Sequence, residues 1–192
     1  MGTKQRRRQR SIHGDKGCSR AIELSYIPLQ GGGFAYLALA LDLCSRRVVG
    51  WSLTERMTET LVLDALQHAI SARQPPSDLI HHSDRGGQYA GHEYRAVLRR
   101  AAMRQSMSRE ANCSDNAFME SCFGTIQTEL EMTEYEDSRQ ARREIASYLA
   151  YYNTERRHSA LDYLSPTALE AQLLQPPWPQ HCPKCAKQPR KG

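Results

Sequence analysis

Three runs of period-two alternation stand near the start of this sequence, and helix-like and strand-like patterns alternate after them. That order restricts the possible folds more than any other feature. In residues 21 to 28 (AIELSYIP), Ile22, Leu24 and Tyr26 alternate with Glu23, Ser25 and Ile27, the pattern of a strand with two distinct faces. Gly31, Gly32 and Gly33 supply a hairpin turn. Residues 34 to 42 (FAYLALALD) and 46 to 53 (RRVVGWSL) are two further strands, joined at Cys44 and Ser45.

The period then changes. Thr58 can cap a helix carrying Val62, Ala65, Leu66, Ala69 and Ile70 on one face, and Pro75 and Pro76 prevent its continuation. Asp78 to His82 (DLIHH) is a short buried-type strand that ends at Ser83 and Asp84, with Gly86 and Gly87 permitting a tight turn after it. A second helix covers residues 91 to 102, and a short strand runs from Arg104 to Met107. Ser114 or Asp115 caps a third helix with a core stripe of Met119, Phe123, Ile126 and Leu130, beside which lies Glu120. Ser138 starts a fourth, with Ala141, Ile145, Tyr148, Leu149 and Tyr152 on one face. Beyond Pro166, the prolines at 176, 177, 179, 183 and 189 favour an extended tail. The succession matches a ribonuclease H-like α/β fold, a central mixed five-stranded sheet flanked by helices, with the strand order taken by analogy.

A chain of 192 residues with this pattern is one domain with tails: a basic arm at 1–20, a core at 21–170 and a proline-rich basic tail at 171–192. The net charge of +5 is unevenly placed, because residues 1–20 hold seven Lys/Arg against the single acid Asp15. Arg6, Arg7 and Arg8 belong to that arm, which attracts polyanions; a solvated tail is the plainer alternative. No stretch approaches the ~18 to 20 apolar residues of a membrane span, and no signal-peptide apolar region comes after the arginines, so the expected location is the cytoplasm. The six cysteines are too dispersed for a disulfide scaffold and are expected as reduced thiols.

Asp84 ends a buried strand and Glu120 projects from a later helix, so the two carboxylates can meet at the sheet edge and hold hard divalent ions. Taken singly, Asp84 reads more simply as a turn-capping acid and Glu120 as a solvated helix residue. Their context decides otherwise: HHSDRGGQY at 81–89, SMSREANCSDNAFMES at 106–121, YYNTERRHSALDYLSP at 151–166 and LDLCSRRVVGW at 41–51. These segments resemble the integrase-core (retroviral-integrase-like) transposases of bacterial insertion sequences, over roughly residues 21 to 170. The resemblance implies metal-dependent DNA strand cleavage and strand transfer in a homo-oligomer, with Mg²⁺, or Mn²⁺ in its place, as cofactor. DNA is the implied partner, with neither membrane nor small-molecule substrate. It makes Asp84 and Glu120 the second and third acids of an Asp, Asp, Glu triad. Arg85, Asn116, Gln127 and Arg157 become expected DNA contacts, and His158 reads more as structure.

Three departures qualify the resemblance. Where relatives carry the first Asp, this strand has Glu23, whose carboxylate reaches ~1.5 Å further; a misplacement near 1 Å can cost about 100-fold in rate. Asp42 closes the second strand and does not replace it. Gln127 stands where relatives place Lys, and the helix-turn-helix segments that normally precede the core are missing, so a truncated core is expected. The alternatives from other classes are an inactive DNA-binding or oligomerising remnant and a small nucleic-acid module with a shared zinc site. For the latter, Cys182 and Cys185 supply half a ligand set.

Overall fold

The computed structural model describes residues 19–108, 117–130 and 134–174. Five strands form one sheet: β1 (Ser19–Leu29), β2 (Gly33–Asp42), β3 (Val48–Thr54), β4 (Ile80–Ser83) and β5 (Arg104–Met107). Their order is β3-β2-β1-β4-β5, antiparallel from β3 to β1 and parallel from β1 through β4 to β5. The helices are α1 (Glu59–Arg73), α2 (His92–Arg100), α3 (Ala117–Glu129), α4 (Ser138–Thr154) and α5 (Pro166–Leu174). This is the mixed five-stranded sheet expected from the sequence. The hairpin joining β1 to β2 relies on Gly31 and Gly32, whose φ values of 80° and 82° other residues rarely adopt.

Alternation divides the core between the two faces of the sheet. On one, Ala21, Ile27, Leu37, Leu39 and Leu41 pack against Met119, Phe123 and Ile126 of α3 and Ile145, Leu149 and Tyr152 of α4. On the other, Ile22, Ala38 and Ala40 pack against Val62, Ala65, Leu66 and Ala69 of α1 and Tyr94, Val97 and Leu98 of α2.

Several expectations are corrected. The third strand begins at Val48 rather than 46, because Asp42 accepts from the backbone N–H of Cys44 (3.0 Å) and Ser45 (3.1 Å) and holds the intervening residues in a turn. Thr58 sits at the N-cap of α1, but its hydroxyl meets that of Thr60 (2.6 Å) and does not cap the helix. Asp137, not Ser138, caps α4, accepting from the Gln140 N–H at 2.7 Å. The segment from Pro166 is helical to Leu174, not extended, and this helix crosses the expected tail boundary at 171. Its anchor is Glu170, only 4% exposed, which pairs with Arg47 (2.7 Å) and Arg73. Cys122 is a buried free thiol, but Cys44 is disulfide-bonded, against the expectation of reduced thiols throughout.

Candidate active site

Strand β4 delivers Asp84 at its C-terminal end, where the chain must turn sharply. The Asp84 Oδ1 accepts from the Gly86 N–H at 2.7 Å, and the Ser83 hydroxyl donates to the Asp84 carbonyl at 3.1 Å. Strand β5 buttresses this end: the Ser108 N–H donates to the Ser83 carbonyl (3.0 Å), and the exposed Arg85 donates through Nε to the Ser108 carbonyl (2.9 Å). His82 holds the same corner, with Nδ1 3.2 Å from the Ser106 hydroxyl and Nε2 3.0 Å from that of Ser108.

Glu23 comes to Asp84 through sheet register. The parallel ladder pairs Ser19 with Ile80, Arg20 with His81 and Ala21 with His82. Carried two residues on, it sets Glu23 beside Asp84 on strands spaced ~4.8 Å apart. Alternation puts Glu23 on the face of Ala21 and Ile27, the side that α3 covers. Tyr89 is buried just beyond the Gly86–Gly87 turn. Its phenol pKa is raised above the usual value first by burial and then by the negative charges of both Asp84 and Glu23.

Helix α3 supplies Glu120 in its first turn, exposed beside the buried Met119. The Gln127 amide, seven residues on and on the same flank, donates to the Ser25 hydroxyl of β1 at 3.2 Å. That bond turns the Glu120–Gln127 flank toward the strand carrying Glu23. The three acids thus sit on β1, the end of β4 and α3, on one side of the sheet. Among the described residues, however, no three His, Cys, Asp or Glu side chains are grouped closely enough to hold a metal ion. Carboxylate oxygens are the donors that magnesium takes, so the chemistry of the set fits a hard divalent ion.

Asp42 is excluded from this role. It is wholly buried opposite Arg20 at the near end of the β1–β2 ladder, but alternation puts it on the Ala38 and Ala40 face of the sheet, away from the Glu23 face, where it closes the β2–β3 turn. In the YYNTERRHSALDYLSP segment, Asn153 accepts from the Val48 N–H and donates to the Val48 carbonyl, both at 2.9 Å, pinning α4 to β3. His158 packs edge-on to Tyr152 with ring centroids 4.7 Å apart, and its backbone N–H donates to the Leu164 carbonyl, a structural role in agreement with its sequence reading. Arg157 is exposed at the end of α4. Arg6, Arg7, Arg8 and Asn116, the Ser114 or Asp115 cap and the Cys182–Cys185 pair lie outside the described residues. The sequence reading passed over Tyr89 and the hydroxyls of Ser106 and Ser108; the GGQY run directly after Asp84 was the available signal for the first.

Comparison with known proteins bears on the same segments. Two family models described as integrase core domain match residues 21–113 and 101–166. The transposase for insertion sequence element IS904 of Lactococcus lactis subsp. lactis (strain IL1403) is 42% identical over 150 residues, covering 77% of this chain and 59% of that protein. Transposase InsF for insertion sequence IS3fB of Escherichia coli (strain K12) is 44% identical over 144 residues, 74% of this chain and 50% of its own length. The chain therefore spans about half to three fifths of these relatives. Among solved structures, the HTLV-2 integrase catalytic core domain in complex with magnesium (trimeric form) superposes with a TM-score of 0.60 at 13% identity, over 80% of this chain and 96% of that one. The simian T-cell lymphotropic virus intasome gives 0.66 at 17% identity, over 87% of this chain and 59% of that one. At such identities the likeness is one of fold.

Proposed function

The chain belongs to the integrase-core family, and from that premise we propose that it is the catalytic core of a bacterial transposase, cleaving DNA strands and joining them in a metal-dependent reaction. What supports the proposal is the parallel ladder of β1 and β4, which leads to Glu23 on one strand and Asp84 just after the other, together with the Gln127–Ser25 bond that holds the helix bearing Glu120 beside β1. These three carboxylates are the proposed ligands of Mg²⁺, with Mn²⁺ able to replace it. When bound, a pair of such ions supplies activation of the attacking oxygen and stabilisation of the leaving oxygen. The chain's own task is positioning: β1 and β4 fix two acids by ladder hydrogen bonds, and α3 fixes the third through its buried stripe.

Arg85 and Gln127 are proposed DNA contacts near the acids and Arg157 one beyond the end of α4, with Asn116 and the arm residues Arg6, Arg7 and Arg8 adding to them. The organisation proposed is a basic arm ahead of β1, a catalytic core from β1 through α5 and a basic tail after Leu174, acting as a homo-oligomer on element ends and target DNA in the bacterial cytoplasm. Among the described residues, no helix is long and apolar enough to cross a membrane.

The test is a strand-transfer and plasmid-nicking assay with pre-cut DNA ends and Mg²⁺ or Mn²⁺. Glu23→Asp shortens the first carboxylate and should raise activity ~10- to 100-fold. Adding Glu120→Gln should abolish it. A second reading, an inactive DNA-binding or oligomerising form of the same core, is favoured by the absence of a preformed three-ligand group among the described residues. It prevails if the unmodified chain and Glu23→Asp are both folded, both bind DNA and are both inactive.

A further inference from the structure

Helix α3 has two polar flanks. One carries Glu120 and Gln127 toward β1. The other carries Ser121 and Thr125, four residues apart and therefore on one face, into a cavity of about 350 Å³ between α3, the end of α4 and the β2–β3 turn. Three arginines line this cavity, Arg46, Arg156 and Arg157, together with His158, and no carboxylate is among its described lining residues. It belongs to neither the acid line nor the apolar core.

One of its cations is firmly held. Arg156 is anchored from behind by Glu129, with Nε 2.8 and 2.9 Å from the two carboxylate oxygens and Nη2 2.6 Å from one of them, and it lies over the Tyr152 ring at 5.7 Å. The contact with Arg156 first, and that with Tyr148 besides, keeps Glu129 below its usual pKa against the opposing effect of burial. Arg46 is presented by the turn that Asp42 closes, and its φ of 59° is a left-handed conformation that costs a non-glycine residue about 1 kcal/mol. Cys122 and Tyr152 form the floor, the thiol 3.6 Å from the phenol oxygen. A concave site with one anchored guanidinium, two further arginines and hydroxyl donors is complementary to a tetrahedral oxyanion.

We propose that this cavity binds one phosphate group of a DNA strand, on the flank of α3 opposite Glu120. A helix is ~10 Å across with its side chains and a strand rises ~3.4 Å per nucleotide, so the phosphate held here lies about three nucleotides from the acid line. A strand laid across α3 would be gripped at one end by the arginines while the acids act at the other. The choice of a polynucleotide over a free phosphate or nucleotide rests on the reading of the chain as a DNA-transfer core; the oxyanion site itself does not.

The experiment measures binding of a short fluorescent single-stranded oligonucleotide to the full chain as a function of salt, alongside inorganic phosphate and a nucleoside triphosphate. Arg46→Gln and Arg157→Gln should each lower the magnitude of the slope of log K against log [salt] by ~0.7, equally for different sequences, with melting temperature kept. Thr125→Glu, which places a carboxylate in the cavity, should weaken binding further. Arg99→Gln on α2, away from the cavity, is the control and should leave the slope unchanged. If the cavity variants bind DNA with the slope of the unmodified chain, the cavity proposal is overturned while the transposase reading stands. If phosphate or nucleotide binds more tightly than the oligonucleotide, and cavity variants lose that binding alone, the polynucleotide assignment is overturned. Failure of the unmodified chain to bind any DNA overturns both readings.

Discussion

The two faces of the sheet are built on opposite packing rules, and strand β2 shows both. Its Leu37, Leu39 and Leu41 point to the side of α3 and α4, while Ala38 and Ala40 point to the side of α1. Small residues let α1 come down onto the sheet backbone. At Gly50 of β3 an added Cβ would collide with the Ala65 carbonyl oxygen and stand 2.6 Å from the Ala69 nitrogen. On the other face, bulky side chains hold α3 and α4 off the sheet, and the flanks of α3 carry the polar groups assigned to function. One face is a backbone-to-backbone weld; the other is a side-chain cushion under a working surface. A site that must bring carboxylates from three elements together needs the weld behind it for rigidity.

The largest expected effect strikes the weld. Gly50→Val must drive α1 off the sheet, at a cost of several kcal/mol that a marginally stable domain cannot absorb. The expected result is no cooperative melting transition by circular dichroism; a folded Gly50→Val protein would break the comparison. Next is the clamp at the end of α1. Arg20 is 1% exposed and donates to the Ala69 carbonyl at 3.3 Å, facing Asp42, Arg73 and Glu170. Burial opposes the charge of Glu170, but Ser45, Arg47 and Arg73 outweigh it and keep its pKa below the usual value. Glu170→Ala leaves those arginines without their anion and should cost about 3 kcal/mol in denaturant unfolding, since breaking a buried pair exposes an uncompensated charge.

A smaller effect comes from His81, buried on the welded face with Nε2 2.6 Å from the Tyr94 hydroxyl. Burial first, then the neighbouring Arg20 and His82, hold its pKa at about 3, against 6.5 for an unperturbed imidazole. In that window the unfolded chain binds the proton and the folded one does not, so stability is full above pH 6.5 and falls as pH drops toward 3. The slope attributable to this group is up to ~1.4 kcal/mol per pH unit. His81→Gln should flatten that limb of a stability-against-pH curve, and an unchanged slope would assign it elsewhere. The smallest effect belongs to the working face. Gln127 is exposed, so Gln127→Lys should leave stability unaltered while steepening the salt dependence of duplex binding by ~0.9.

Much of this was legible in advance. Glu23 could be placed on the opposite face from Ile22 and Leu24 by alternation alone, and Glu120 beside the Met119 stripe by helical period. That β1 pairs with β4, the strand leading to Asp84, was not legible in the same way, because a parallel ladder between residues some 60 positions apart leaves no mark in either segment. Helix α5 was missed for a related reason. Its anchor is a buried Glu170, which in sequence is one more charged helix residue, and the prolines after it pointed to an extended chain. The cavity arginines were equally hidden: Arg46 comes from a turn and Arg156 from the end of a helix, over 100 residues apart.

The sequence by itself determined the five strands, the first four helices and their faces, because strand and helix periods are written in residues two to four positions apart. Only the tertiary structure decided which elements touch: the approach of α1 at Gly50, the ionic clamp on Glu170, the pairing of β1 with β4 and the meeting of Ser121 and Thr125 of α3 with the arginines of the β2–β3 turn and the end of α4. Those contacts join residues distant in the chain, and their energies depend on burial and geometry that no local pattern contains.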